Sequence, residues 1–566
     1  MDDLDIKKEI RNFSLHNAVK FNGKASSGAV IGRLVGKHPD IKARLNEYGR
    51  IISDIIKEVN AMDPDAQMKE LEENAPELLE EKKEVKKKDL PELKLIKDEV
   101  VMRFEPSPSG PLHIGHLYPL ALNLEYVRRY KGIFYLRIAD TNADNIDPGS
   151  YSLIPENAGW FAKREIKPVI QSDRMELYYN YALKLIEEGY MYVCGCTADE
   201  FKELKAKKSE CPCRNLKVGE QVKRWHRMFD REKGYQEGEA VVRFKTDMKH
   251  KNPAMRDFPM IRINDSEHAR QGSRYRVWPL MNFSVAIDDM DMAVTHTLRG
   301  KDHADNAKKQ AMIHHALGYP TPYAISVGRI NFLGFPVSCS QTKAGIKEGM
   351  YEGWDDVRIP FVPALKRRGY RPEAFIRYAL DVGVSANDKS VDIKDFFKTI
   401  DCFNKEVLDP VSQRFFFVRD PVGIDISGSP DQEVELDLHP EHRKGGRKFM
   451  TSSSFWVEQR DFEKFREGSL YRLMDCLNFR RSGDSFRFVS ADYRDFKDNG
   501  DMIIHWLPQD ETVDVEVLMP DNTVASGFGE RGIVGLDVGD IIQFERFGFC
   551  RLENASGKYF FVFCHR

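Results

Sequence analysis

His113 and His116 stand three residues apart in the stretch SPSGPLHIGH, which runs from Ser107 to His116. Two imidazoles at that spacing can both donate hydrogen bonds to one anionic group. Gly110 permits a tight turn, and Gly115 lets a flat ring or a phosphate approach the backbone closely. The helix expected to follow presents unpaired N–H groups and the positive end of its dipole, which suits phosphate. A second constellation is thiol-based. Cys194 and Cys196 form one tight pair, Cys211 and Cys213 another, with fourteen residues between the pairs. Four thiolates so spaced can close a tetrahedral zinc site, although the C-x-C spacing is less common than C-x₂-C. Two arginines, Arg103 and Arg299, fall at the ends of apolar strand-like runs, where open α/β sheets bind ligands. Their fork suits a carboxylate.

These residues need elements to position them. EVVMRFEP, from Glu99, reads as a strand. Leu117, Leu120, Leu124 and Val127 then make a helical stripe that stops at Lys131-Gly132. IFYLRIAD is a second strand, so the three form a βαβ unit and a parallel sheet. AVTHTLRG, the helix through DNAKKQAMIHHALG and the strand YAISVGRINF repeat the pattern. The text between about 190 and 275 breaks it and reads as an insertion. Upstream, Ile41, Leu45, Tyr48, Ile52, Ile55, Ile56 and Val59 mark one apolar helical face. DPDAQMKELEENAPELLEEKKEVKKKDLPELK then reads as a solvated helix or linker. From about 410 short strands with Gly, Pro, Asp and Asn turns suggest antiparallel barrels.

The chain has 566 residues and a net charge of −3. That length fits roughly three to five domains. The charge does not point to nucleic acid and does not exclude it, because local basic patches suffice. No run of about 18 apolar residues predicts a membrane span. MDDLDIKKEIRNF lacks the apolar core of a signal peptide, and the scattered cysteines do not form a secreted framework. A cytoplasmic enzyme is expected.

The segment RFEPSPSGPLHIGH resembles the ATP signature of class I aminoacyl-tRNA synthetases. With YLRIADT, QSDR, YRVWPLMNF, AIDD, THTLRGKDH and EGWDDVRIP, the chain resembles the archaeal-type glutamyl-tRNA synthetases along essentially its whole length. The resemblance implies an α/β fold with a class I Rossmann catalytic domain in two halves, 98–190 and 276–335, around an acceptor-stem insertion, 191–275. It implies an N-terminal helical region and charged linker, 1–97. It also implies a lysine-motif loop with a helical stem-contact domain, 336–410, and anticodon-binding β-barrels, 411–566. The implied reaction uses ATP with Mg²⁺ to activate glutamate, then transfers it to tRNA(Glu). The implied ATP residues are Pro106, Gly110, His113, Gly115, His116, Ser338, Ser340 and Lys343, with His113, His116 and Lys343 catalytic. Arg103, Ser107, Glu105 and Arg299 are the expected amino-acid contacts. Nothing fixes the oligomeric state, and a monomer is favoured.

Four positions depart from the family pattern. An acidic residue usually stands at the site of Ala139, alanine at Glu105 and tyrosine at Met281. Glu105 and Ala139 end two strands of one βαβ unit, so Glu105 is a candidate for the anion that position 139 lacks. In VSCSQTKAGI, Gln341 replaces the lysine of the second class I signature, and Lys343 is the candidate substitute. A glutamine can donate a hydrogen bond but carries no charge. Glutamine specificity, and a degraded tRNA-binding paralogue, are the alternatives these departures raise. Asp288 and Asp289, read as neighbours on a strand, would face opposite ways, so no joint metal site is expected. Aromatics in FFFVRD and FERFGF are expected in barrel cores. Arg414, Arg546 and Arg551 are candidates for phosphate or base contacts.

Overall fold

A computed structural model describes residues 3–20, 23–38, 45–75, 78, 90–96 and 99–566. The chain divides into two compact units, Met1–Lys87 and Lys88–Arg566.

The first unit is helical, with α1 (Asp3–Lys20), α2 (Ser27–Lys37), α3 (Leu45–Asn60) and α4 (Pro64–Asn74). The apolar stripe read from the sequence builds α3: Tyr48, Ile52, Ile56 and Val59 are buried in a core shared with Ile10, Phe13 and Leu34. Ile41, at the head of that stripe, lies outside the described residues. Asp63 caps α4 by accepting from Asp65 N at 2.9 Å, and Pro64 takes the first helical position, where its missing N–H costs nothing. Most of the Lys/Glu-rich run, 79–89, lies outside the described residues.

The second unit begins with β1 (Val101–Phe104), α5 (Ile114–Tyr130), β2 (Ile133–Ile138), α6 (Ser150–Ala162), β3 (Pro168–Ile170) and α7 (Met175–Glu187). An inserted antiparallel sheet follows, in the order β4 (Met191–Cys194), β5 (Val241–Phe244), β6 (Pro259–Ile263), β7 (Val277–Pro279), with α8 (Ala198–Ala206) and α9 (Val218–Arg227) between its first two strands. The chain returns through α10 (Met281–Asp291), β8 (His296–Gly300), α11 (Ala304–Ala316) and β9 (Tyr323–Val327). Five strands of this unit pair in parallel as β3-β2-β1-β8-β9. All four residues of β1 are buried, as a central parallel strand covered on both faces requires. The strand order reverses between β1 and β8, and the crevice beyond the carboxyl ends of such strands is the ligand site of open α/β sheets. Arg103, Glu105, Arg137, Arg299 and Arg329 all belong to strands of that sheet or to the residues just past their carboxyl ends.

Asp288 and Asp289 lie on helix α10, not on a strand. Phe283, Ala286 and Ile287, spaced by three and four, turn one face of the helix into the core. Helical spacing then leaves both aspartates buried.

After β10 (Ile330–Leu333) come the helices α12 (Cys339–Lys347), α13 (Val362–Arg368), α14 (Pro372–Val382) and α15 (Ile393–Leu408). The remainder is β. One seven-stranded sheet takes Arg414–Phe415 and Phe417–Arg419 together with strands from Thr512 to His565; the other is built from 421–508. The second is thus nested in the sequence of the first. Most neighbours are antiparallel, as expected of hairpins, but each sheet also holds two parallel pairs, which crossover connections produce. Phe415, Phe416, Phe417 and Phe544 are buried in these cores, whereas Phe549 is buried in the core that also holds Leu365 and Tyr370.

Candidate active site

His113 is the N-cap of α5, and its ring is part of the helix start. Gly115 N donates to His113 Nδ1 at 3.1 Å, while His113 N donates to His116 Nδ1 at 3.3 Å. This is a reciprocal capping box made of two imidazoles. The rings stack with centroids 3.8 Å apart. Each Nδ1 is an acceptor, so the proton of each neutral ring sits on Nε2 and remains free to donate. Burial holds both groups neutral: His113 titrates well below the ordinary histidine range, with His116 and Arg329 adding to the effect, and His116 falls to about 4.

The expectation of free backbone donors at this helix start is overturned. Ile114 N donates to Pro360 O at 3.1 Å, Gly115 N to the His113 ring and His116 N to His113 O at 2.8 Å. What points into the cleft are side-chain donors on a satisfied backbone. Gly115 owes its lack of a side chain to the same cap, since a Cβ there would lie 3.0 Å from the His113 ring. At Gly110 the close neighbours are Trp354 at 3.0 Å and Cys339 at 3.1 Å, so this residue lets the second signature pack on the first.

A cavity of about 470 Å³ opens beside the histidines, lined by His113, Gly115, His116, Gly300, Arg329 and Asn331 among others. Arg329 is exposed, its guanidinium makes no ion pair among the described residues although its backbone N–H donates to Asp388 at 2.8 Å, and it stands near enough to His113 to depress its titration. The sequence reading missed it. The signal was there: Gly328-Arg329 follows the carboxyl end of β9, on the same sheet edge as Arg299.

The other end of the crevice is an ion network. Arg103 grips Asp289 with Nε at 3.0 Å and Nη2 at 3.2 Å. Arg137, fully buried, donates to Glu105 and to Asp289, both at 2.8 Å, and its Nε lies 3.6 Å from Asp288. Arg174 Nε donates to Asp288 at 2.8 Å, and Tyr178 and Gln171 donate to the same carboxylate. Burial opposes the charge on Arg137, but Glu105, Asp289 and Asp288 outweigh it and keep the guanidinium protonated. Burial likewise opposes ionisation of Asp289, and Arg103 with Arg137 pull it far below the usual carboxylate range. Asp288 is shifted up by burial. The two aspartates do share a partner after all, a guanidinium where a metal was considered and set aside.

Arg103, Arg137 and Arg174 are therefore matched by Asp289, Glu105 and Asp288. Arg299, at the end of β8, makes no ion pair among the described residues, although Asp289 and Glu105 are close enough to favour its charged form. Burial and the charge of Arg103 bring its guanidinium down to about 10. Ser107, three residues past the end of β1, is exposed, and Met281 begins α10 at 40% exposure.

In the second signature, Ser338 caps α12 and accepts from Gln341 N at 3.5 Å. Lys343, the expected substitute, is engaged elsewhere: its Nζ lies 3.0 Å from Asp147 Oδ1, and it does not line the cavity. Pro106 is buried, and its carbonyl accepts from Ala139 N at 3.1 Å, while Ser340 is exposed.

The family model of class I tRNA synthetases (E and Q), catalytic domain, matches residues 99–410, more than half of the chain, and two anticodon-binding models of the same class match 412–492 and 503–553. The chain belongs to the class I E and Q tRNA synthetases. It is 40% identical to a glutamate–tRNA ligase of Methanothermobacter thermautotrophicus over 98% of this chain and 99% of that one. The corresponding ligase of Methanocaldococcus jannaschii is 40% identical over 99% of this chain and 100% of its own. That of Methanobrevibacter smithii is 38% identical over the same shares.

In this E and Q synthetase the four cysteines of the insertion meet. All four Sγ atoms lie within 4.8 Å of one another, with Cys211 at 3.5 Å from Cys194 and 3.3 Å from Cys196. Arg224 donates to Cys213 Sγ at 3.4 Å. A second group, Glu458, Asp461 and His505, is closed by arginines: Arg546 donates to Asp461 at 2.5 and 3.1 Å and to His505 at 3.0 Å. Two of the arginines considered for nucleic acid are thus committed to the protein, Arg546 to Asp461 and Arg414 to Asp409 at 2.6 Å. No helix among the described residues is long and apolar enough to cross a membrane.

Proposed function

We propose that this synthetase ligates glutamate to tRNA(Glu), first forming glutamyl-adenylate from ATP and then esterifying the 3′-terminal ribose of the tRNA. The observation that carries glutamate over glutamine is charge balance. Among the described residues Arg103, Arg137 and Arg174 are ion-paired, while Arg299 lies in the field of Asp289 and Glu105 but is paired with neither, so a side-chain carboxylate would give it the partner that an amide does not.

In the first step the α-carboxylate attacks the α-phosphorus and pyrophosphate leaves. The protein does little covalent work; it orients the reactants and stabilises charge on the phosphate oxygens. His113 and His116 donate their Nε2–H groups to the triphosphate, and Arg329 adds a positive charge at the same cavity. Gly110, Gly115, Pro106, Ser338 and Ser340 shape the loops around it. Mg²⁺ accompanies ATP and offsets triphosphate charge. In the second step the ribose hydroxyl adds to the acyl carbon and AMP departs. Arg103 shares the amino-acid end with Arg299, its remaining Nη1 facing Glu105 at 3.6 Å.

Zinc is part of the proposal. Four thiol donors in two tight pairs fit a tetrahedral ion, and the adjacent Arg224 suits the negative charge of a tetrathiolate site. The ion would cross-link the strand end at Cys194–Cys196 to the turn at Cys211–Cys213 in the insertion. Elemental analysis of protein made with zinc supplied tests it; absence of metal would end it.

Gln341, with Lys343 held by Asp147, favours a second reading, a tRNA-binding paralogue that does not charge. One assay separates the readings: charging of tRNA with a panel of labelled amino acids and ATP. Glutamate alone should be esterified. Preference for glutamine, or tRNA binding with no charging, would replace the proposal.

A further inference from the structure

The amino acid read into this crevice carries an ammonium as well as two carboxylates, and the arginines answer only the carboxylates. An anion is needed, and four buried or half-buried carboxylates stand near. Asp288 has no exposed side-chain surface and is saturated by Arg174, Tyr178 and Gln171. Asp289 is held by two arginines and is almost fully covered. Asp140 accepts from Ser172 N, Ser172 Oγ and Tyr151 Oη at 2.7–2.8 Å and is covered as well.

Glu105 differs. The parallel register that pairs Phe104 with Leu136 carries Glu105 next to Arg137. Its Oε2 accepts from Arg137 at 2.8 Å and its Oε1 from the neutral amide of Gln171 at 3.2 Å. Arg103, at 3.6 Å, is too far to donate. Its side chain keeps 9% of its surface exposed, the largest share in the Arg103–Arg137–Asp289 group. Arg137 is divided among three carboxylates, so none of them is fully compensated by it. The carboxylate is therefore oriented and still partly accessible. Ala139, whose N–H is bonded to the neighbouring Pro106 carbonyl at 3.1 Å, brings no charge to the adjacent strand end.

We infer that Glu105 receives the substrate ammonium, with Arg137 and Gln171 as positioning residues that fix its carboxylate. The inference rests on the glutamate reading above and names the contact that reading leaves open. It makes the pocket select an α-amino acid and not merely a dicarboxylate.

The test compares L-glutamate with glutarate, which has both carboxylates and no ammonium, by calorimetry on the full-length protein. Wild type should bind glutamate at least tenfold more tightly than glutarate, the value of one charged hydrogen bond. Glu105→Gln should weaken glutamate roughly tenfold, leave glutarate within about threefold, and so erase the preference. Adding Ala139→Asp to Glu105→Ala should restore it. A variant that keeps the preference, one that weakens both ligands alike, or a double variant with no recovery would overturn the inference. Wild type binding glutarate but not preferring glutamate would do the same while sparing Arg299. Wild type binding neither would overturn the glutamate reading and this inference with it.

Discussion

The two ends of the crevice are built on opposite electrostatic plans. At the amino-acid end charges are paired inside the protein, and a single guanidinium, Arg299, is left over. At the nucleotide end the donors are neutral imidazoles held in one tautomer by the helix cap, and the nearby cation, Arg329, is exposed. The difference follows from the ligands. A small amino acid must be told from its neighbours, so its pocket works through buried, pre-matched charges whose imbalance is costly. A triphosphate comes with its own metal and abundant charge, so oriented donors and one exposed cation suffice.

The largest effect expected from breaking this contrast is at Arg299. Arg299→Ala removes the one arginine of the amino-acid end that has no ion pair among the described residues, and losing one partner of a largely buried charge pair costs about 3 kcal/mol, a hundredfold or more in rate. Glutamate-dependent ATP–pyrophosphate exchange should fall by that factor with the ATP KM nearly unchanged. A comparable rise in the ATP KM would break the division between the two ends.

Next is the cap. His116→Ala removes a donor to the triphosphate and half of the reciprocal cap, so exchange should fall roughly a hundredfold, as for loss of one preorganised donor. The pH dependence sharpens the point. His116 titrates near 4 in the folded protein, below the ordinary value of 6.5. The unfolded chain therefore takes up that proton first as pH falls, so this group contributes a loss of stability that starts below about 6.5 and runs to about 4. Wild type should lose more unfolding free energy over that window than His116→Ala, and equal losses would argue against a neutral, buried ring.

Much of this contrast is written locally in the sequence, and some of it is not. Leu117, Leu120 and Val127 mark α5, and a strand on either side of it fixes a parallel sheet and places His113 and His116 at its edge. The histidine spacing gave the donors; the cap that orients them is a three-dimensional reciprocity no spacing announces. Asp288 and Asp289 were assigned to the wrong element because a short apolar run, FSVAI, has no strong period of its own. Arg137, Arg174 and Tyr178 come from three elements, so their meeting at Asp288 depends on tertiary packing alone. The nested β domains were hidden for a related reason: Arg414–Phe415 pairs with Gln543–Phe544, more than a hundred residues downstream. Arg329 and Arg299 share one signal, an arginine just past a parallel strand, which was used for one and overlooked for the other.

Arg329→Ala should cost about tenfold in adenylate formation, mostly through the ATP KM, because a single exposed charge–phosphate contact is screened by solvent. Chelation of the cysteine cluster should sit apart from both ends of the crevice. It should lower the melting temperature and slow transfer to tRNA while leaving glutamate-dependent exchange within about twofold, because the ion would cross-link only the insertion.

The smallest effect is expected at Lys343, and it bears most directly on how a synthetase works with glutamine at position 341. Lys343 is half exposed and pairs with Asp147, a contact worth at most about 1 kcal/mol. To reach the triphosphate the lysine must leave that carboxylate, so whatever it contributes is reduced by the pair it gives up. Lys343→Ala should therefore slow adenylate formation only two- to threefold, more than Lys347→Ala and less than Arg329→Ala. Asp147→Asn, which frees the lysine, should lower the ATP KM by a similar small factor. If instead Lys343→Ala cost more than Arg329→Ala, the loop and not the sheet edge would carry the charge that Gln341 lacks, and the nucleotide end would depend on a moving lysine after all.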